Sequence, residues 1–142
     1  MIAVDTNILV YSHRPEAPWH ARAKEVVADL ASAPRPWAIP WPCIHDFLSI
    51  VTKGFFKTPT PLAIACDRVE AWLESPTLVL LAETDRHWRT LQDLISAGRI
   101  VGGAVHDARI AALCLQHGVS ELLTADRDFS RFPALRTRNP LV

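Results

Sequence analysis

Short apolar runs alternate along this chain with longer stretches in which apolar positions recur every three or four residues. "MIAVDT" at the start, "WAIPW" at 37–41, "TLVLLA" at 77–82 and "ELLTA" at 121–125 are of the first kind, and they predict strands. The longer stretches predict helices. "WHARAKEVVADLASA" sets Ala23, Val26, Val27 and Leu30 on one side, and Pro42 suits the first turn of a helix through "CIHDFLSIVTK". "TPTPLAIACDRVEAWLES" starts near Pro61 and turns Val69 and Leu73 inward. "TDRHWRTLQDLISAG" runs from a Thr84 cap to a stop at Gly98, and "GGAVHDARIAALCLQHG" ends at Gly118. The tail "LRTRNPLV" adds a last strand. Apolar strands alternating with helices imply a parallel sheet covered on both faces. The expected fold is therefore α/β, a three-layer α/β/α sandwich with a central, mostly parallel sheet. With no internal repeat or linker, positions 1–142 read as a single domain.

Composition supports a folded core and leaves the partner open. Of 142 residues, 49% are hydrophobic, enough to fill an interior. Fifteen basic and fifteen acidic side chains cancel, so net charge does not select a nucleic-acid partner. Cys43, Cys66 and Cys114 each lie in an apolar helical context without metal-ligand spacing and read as reduced core thiols of a cytoplasmic protein. No apolar run is long enough to span a bilayer, and no basic segment precedes an apolar leader, so no membrane association is expected.

The acids carry the chemistry. Most of them, such as Glu25, Asp29, Glu70 and Asp93, lie on helices among Arg and Lys, as solvated faces do. Asp5 ends the first strand, and Asp126 ends the strand "ELLT" with Asp128 two residues on. Asp107 lies in the first turn of its helix, and Asp46 lies early in another, beside an apolar stripe. Taken singly, each has an ordinary account: a cap for Asp5, a macrodipole partner for Asp107, a turn residue for Asp126 or Asp128, an exposed acid for Asp46. Taken together they fall at strand ends and helix starts, which meet on one rim of such a fold. Two carboxylates ~4 Å apart repel by about 4 kcal/mol at an effective dielectric near 20, so a gathering of them calls for a cation. Oxygen-only ligands suit Mg²⁺ or Mn²⁺, whereas the dispersed histidines and cysteines do not suit zinc.

The segments "VDTNILVY", "HDFLSIVTK", "VHDARIAALCLQHG" and "ELLTADRDF", in this order, resemble the PIN-domain ribonucleases, specifically the VapC-like toxins of type II toxin–antitoxin pairs. The resemblance implies a Mg²⁺- or Mn²⁺-dependent endoribonuclease that leaves a 3′-hydroxyl and a 5′-phosphate. It implies that Asp5, Asp107 and Asp126 are metal ligands, and that Asp46 occupies a catalytic position where the family usually has Glu. Asn7, Thr124 and Asp128 match accessory polar positions. A small cognate antitoxin, an RNA substrate and a homodimer are implied in the same way.

RNA also needs cations on the protein. Arg127, Arg131, Arg136 and Arg138, with Lys53 and Lys57, are the candidates, and for any one of them solubilising surface charge is as good an account. The five tryptophans read mostly as core or interface anchors. Two rival functions stand beside the nuclease. One is a catalytically degenerate PIN domain that only binds. The other is a phosphotransferase with Asp5 as nucleophile, which would want a second acid at position 7, where this chain has Asn.

Overall fold

The computed structural model describes residues 1–53 and 57–142. The chain folds in the order β1 (Ile2–Val4), α1 (Thr6–His13), α2 (His20–Ser32), β2 (Trp37–Pro40), α3 (Trp41–Thr52), α4 (Leu62–Leu73), β3 (Leu78–Leu81), α5 (His87–Gly98), α6 (Ala104–Gln116), β4 (Glu121–Leu123) and β5 (Thr137–Arg138). A short 3₁₀ turn, Arg127–Arg131, separates β4 from β5. The strands form one parallel sheet in the order β3-β2-β1-β4-β5 with helices flanking it, as the alternating pattern predicts.

Burial explains why the central strands show no alternation of apolar and polar residues. Successive residues point to opposite faces, yet Ala3 and Val4 of β1 and all four residues of β2 are buried. Only a sheet covered on both sides buries both parities. At the edges the pattern relaxes. Val79 of β3 is partly open, and β5 is exposed, with Arg136 and Arg138 both paired to Glu121 across the β4 edge. Charged edges of this kind discourage further strand pairing.

Strand order reverses direction beside β1. The chain steps from β1 to β2 to β3 on one side, then returns to place β4 and β5 on the other. The carboxyl ends of β1 and β4 therefore flank the crevice where parallel sheets of this kind bind ligands. The Asp5 N–H donates to Leu123 O at 3.0 Å, and the Thr124 N–H donates to Arg138 O at 3.0 Å, so both strand ends are fixed in the sheet.

Several local expectations need correction. "WAIPW" is strand only to Pro40; Trp41 already opens α3, with Pro42 in its first turn. The cap account of Asp5 holds, by contrast: α1 starts at Thr6, and Asp5 Oδ1 accepts from Thr6 N at 2.7 Å. Thr84 does not cap α5. Its hydroxyl accepts from Arg86 N at 3.2 Å in the turn before the helix, which starts at His87. On α4 the inner face is Ala65 and Trp72, while Leu73 is exposed and Val69 half-buried. Cys43 and Cys114 are buried as expected, but Cys66 is exposed, one position beyond Ala65 on α4.

Helix ends are closed by two matching turns. After α6, Gly118 takes φ +68°, with Val119 N donating to Cys114 O and Gly118 N to Leu115 O. This is the six-to-one and five-to-two pairing of a Schellman motif. After α5 the same pairing runs from Ile100 N to Ile95 O and from Arg99 N to Ser96 O, but the left-handed residue is Arg99, at φ +51°. Gly98, one residue earlier, leaves room for Ile100: a Cβ there would lie 3.0 Å from Ile100 Cδ1, and that side chain would have to shift slightly.

Candidate active site

Asp5 sits at the end of β1 with only 4% of its surface exposed. Its Oδ2 accepts from the Thr124 hydroxyl at 2.7 Å and from Asn7 Nδ2 at 3.2 Å. Its Oδ1 accepts from Thr6 N at 2.7 Å and, over 3.6 Å, from the Cys43 thiol. Burial raises the Asp5 pKa, and the negative charge of Asp126 adds to that, while the bonds from Thr124, Thr6 and Cys43 oppose it. Asn7 and Thr124 are brought together as the sequence suggests. Asn7 also donates to Thr124 Oγ1 at 3.2 Å and accepts from Ala125 N at 3.1 Å, and Thr124 Oγ1 accepts from Asp126 N at 3.0 Å. The two polar side chains thus hold the start of the loop after β4 against Asp5.

That loop carries the remaining acids. Asp126 caps the 3₁₀ turn by accepting from Asp128 N at 2.8 Å, and this brings Asp128 round beside it. Asp107 approaches from the first turn of α6. One oxygen from each of Asp107, Asp126 and Asp128 lies within 4.8 Å of the others. The Asp107 carboxyl is pushed up to about 6, chiefly by burial and then by the charges of Asp126, Asp5 and Asp128, with Arg131 opposing. Asp5 stands beside this trio rather than in it; all but Asp128 share a cleft of about 330 Å³.

Asp46 lines the same cleft from the second turn of α3, exposed at its rim. Apolar walls come from Val10, Ile50 and Ile110, with Tyr11 beside them. Sequence reasoning missed Tyr11 and took Cys43 for an inert core thiol. Burial and the neighbouring Asp5 charge do keep that thiol protonated, and so able to donate to Oδ1. Of the cations expected to meet RNA, Arg131 lies near enough to bias Asp107, whereas Arg136 and Arg138 are engaged with Glu121 at the sheet edge. The demands of the phosphotransferase rival are not met, since no lysine lines the cleft among the described residues and Asn7 is committed to its neighbours.

Oxygen-only donors crowded in a partly buried cleft fit a hard divalent cation. Without one, burial first and then the neighbouring carboxylates Asp126, Asp5 and Asp128 disfavour the charged form of Asp107.

Known proteins resemble this chain both in sequence and in fold. A family model described as PIN domain matches residues 2–135. The VapC ribonuclease Mb2897 of Mycobacterium bovis is 35% identical over 99% of this chain and 96% of its own length. Ribonuclease VapC37 of Mycobacterium tuberculosis is 32% identical over 99% and 97%. Among solved structures, VapBC2 from Rickettsia felis bound to a promoter DNA fragment superposes with a TM-score of 0.72 at 19% identity, covering 98% of both chains. VapC20 of Mycobacterium tuberculosis, a sarcin–ricin loop cleaving toxin, gives 0.70 at 17% identity, covering 92% and 93%. The first two are similar in sequence along their whole length, and the last two share the fold. A match of that extent, on a chain whose acids converge at the sheet's switch point, means that this protein belongs to the PIN domain family.

Proposed function

We propose that this chain is a divalent-cation-dependent endoribonuclease of the VapC type, the toxin of a toxin–antitoxin pair, acting in the cytoplasm as a single domain over residues 1–142. The observation that carries this reading is the convergence of Asp107, Asp126 and Asp128 within 4.8 Å, beside a cleft lined by Asp107, Asp126 and buried Asp5. Asp5, Asp107 and Asp126 would hold Mg²⁺ or Mn²⁺, with Asp128 at the open side of the same group. Bound there, such an ion would polarise a phosphoryl oxygen and offset the charge that develops as the phosphodiester is attacked by water.

The chain's own residues do the rest. Thr124 and Asn7 fix the orientation of the Asp5 carboxylate, and Thr6 N and the Cys43 thiol secure its other oxygen. Val10, Ile50 and Ile110 give the cleft a dry wall, which strengthens every charge interaction inside it. Asp46, at the rim, is placed to accept a hydrogen bond from a water or a ribose hydroxyl. Its shorter side chain relative to the Glu usual in the family makes it a positioning group rather than a ligand.

Relatives solved as VapBC assemblies support a small antitoxin as partner, and we extend the reading to an RNA substrate and a homodimer. The test is cleavage of a mixed RNA pool by antitoxin-free protein, with and without Mg²⁺ or Mn²⁺, beside Asp126→Asn. Cleavage that requires the metal and disappears in the variant is expected. Metal-independent cleavage, or equal cleavage by the variant, would remove the acidic cluster from the mechanism. Metal binding without cleavage would instead favour the binding-only PIN domain.

A further inference from the structure

The acidic cleft has a second half that its acids leave unused. Three helices line it, and each contributes a polar residue and, a turn further on, an apolar one. Asn7 of α1 is followed by Val10 and Tyr11, Asp46 of α3 by Ile50, and Asp107 of α6 by Ile110. Spacings of three and four put the members of each set on one helix face. At 1.5 Å per residue they stand about 4.5–6 Å apart along each axis. The three helices also run the same way past the parallel sheet: α1 and α3 start at the carboxyl ends of β1 and β2, and α6 ends where the chain turns into β4. The polar residues therefore gather at one end of the cleft, and an apolar lobe adjoins them.

Tyr11 supplies the lobe with an aromatic ring. It is half-buried and lines the cleft, while Trp19, which does not, packs against it with ring centroids 5.6 Å apart and planes inclined at 55°. A ring already held by a neighbour gives up little freedom when a flat group stacks on it. The cleft's volume of about 330 Å³ falls in the range of small-ligand sites, about 300–1,000 Å³.

A ligand that fits both halves joins an anionic centre, drawn to a cation on the acids, to a flat apolar ring about one helical turn away. A nucleotide is built this way, with the phosphate as the anion and the base as the ring. Bases in a duplex keep their faces stacked, so the one that enters is unpaired.

We propose that the lobe formed by Val10, Ile50 and Ile110 with Tyr11 is a nucleobase pocket, which takes the unpaired base next to the scissile phosphate by stacking on Tyr11. The proposal deepens the ribonuclease reading and rests on it for its substrate. It makes cleavage depend on a single-stranded nucleotide on one fixed side of the cut.

The test compares wild type with Tyr11→Leu, which is apolar but lacks the ring, and with Tyr11→Phe, which keeps it, after thermal melts show that all three fold. KM and kcat are measured with Mg²⁺ on an RNA of about twelve nucleotides, and on copies in which one nucleotide flanking the cut is abasic. On the intact RNA, Tyr11→Leu is expected to raise KM about tenfold, the scale of one lost base–aromatic stack, and Tyr11→Phe to restore it. For wild type, removing the base at one flanking position should raise KM by a similar factor. In Tyr11→Leu the same removal should change KM little, because its partner ring is already gone.

Losses that multiply at every flanking position would mean that ring and base do not touch, and would overturn the pocket. So would the absence of any loss. If Tyr11→Leu does not fold, the abasic series on wild type decides: a loss confined to one flanking position supports the pocket, and none overturns it. If wild type cuts no RNA, the ribonuclease reading falls, and binding with Ca²⁺ compares a uridine twelve-mer with a ribose–phosphate chain of equal length lacking bases. A preference for the bases that Tyr11→Leu loses supports the pocket, and equal binding or none overturns it. Equal binding, with the dye 8-anilinonaphthalene-1-sulfonate held by wild type and not by Tyr11→Leu, would overturn it in favour of an apolar side chain from a protein partner.

Discussion

The Thr124 hydroxyl donates to Asp5 Oδ2 at 2.7 Å, tying the ends of two adjacent parallel strands together across 119 positions of sequence. Both side chains are buried, at 3% and 4% exposure, so water cannot replace either partner. Thr124→Val keeps the side-chain shape but leaves a buried carboxylate without its shortest hydroxyl donor, and Asp126 N without its acceptor. We expect a loss of about 1.5–3 kcal/mol in urea unfolding, with Thr124→Ser restoring most of it. A midpoint unmoved by Thr124→Val would mean that the bond does not hold the site.

Repulsion within the acidic cluster links stability to pH. Asp107 has a folded-state pKa of about 6, above its ordinary 3.8, because of burial and the neighbouring Asp126, Asp5 and Asp128. A raised acid contributes stability that is complete below about pH 3.8 and is lost as pH rises through about 6. Metal-free Asp107→Asn should therefore gain on wild type in denaturant midpoint between about pH 4.5 and pH 7. Mg²⁺ should stabilise only wild type, and less so below about pH 6, where protons compete for the ligands. Parallel pH profiles for the two proteins would show that the cluster carries no strain.

Asp46 and Asp126 should differ in degree. Asp126 belongs to the group of oxygens within 4.8 Å, while Asp46 lies exposed on the cleft's rim. Asp46→Asn is expected to lower RNA cleavage by about 10- to 100-fold, the range for groups that orient ligands rather than supply them. Asp126→Asn should abolish cleavage. Equal losses would place Asp46 among the ligands, and the comparison needs only initial rates at saturating Mg²⁺.

Arg99 offers a prediction remote from the chemistry. It closes α5 at φ +51°, the conformation Gly118 adopts after α6 without a Cβ. A left-handed conformation costs a side-chain-bearing residue roughly 1–2 kcal/mol, and glycine returns part of that as chain entropy in the unfolded state. Arg99→Gly should stabilise by about 0.5–1 kcal/mol in urea unfolding and leave cleavage unchanged. Destabilisation would mean that the Arg99 side chain makes a compensating contact.

Much of the fold was legible because strand burial is so complete. A strand such as β2, hidden on both faces, can only be an unbroken apolar run, and runs of that kind between helical stretches admit few architectures. Less legible was what depends on capping and three-dimensional approach. In sequence the run "NILVY" is as apolar as a strand, and only the cap account of Asp5 points to the helix that begins at Thr6. The candidate acids were readable as a set because strand ends and helix starts share a rim. Their grouping was not, because the 3₁₀ turn that folds Asp128 back toward Asp107 is made by a local hydrogen bond to Asp126. Cys66 and Leu73 failed for a related reason: apolar character on α4 marks more positions than its narrow contact face can bury.

The place of β1 in the middle of the sheet has a consequence for how the protein comes into being on the ribosome. One edge of β1 needs only β2, which follows it closely in sequence, but the other waits for β4, more than a hundred residues later. Asp5 likewise emerges more than a hundred residues before Thr124, Asp126 and Asp128. A nascent chain therefore carries Asp5 without the acids of the loop after β4 until more than a hundred further residues have been made. For a protein read as an RNA-cleaving toxin, that order delays assembly of the acidic site until the segment that carries its later acids has emerged.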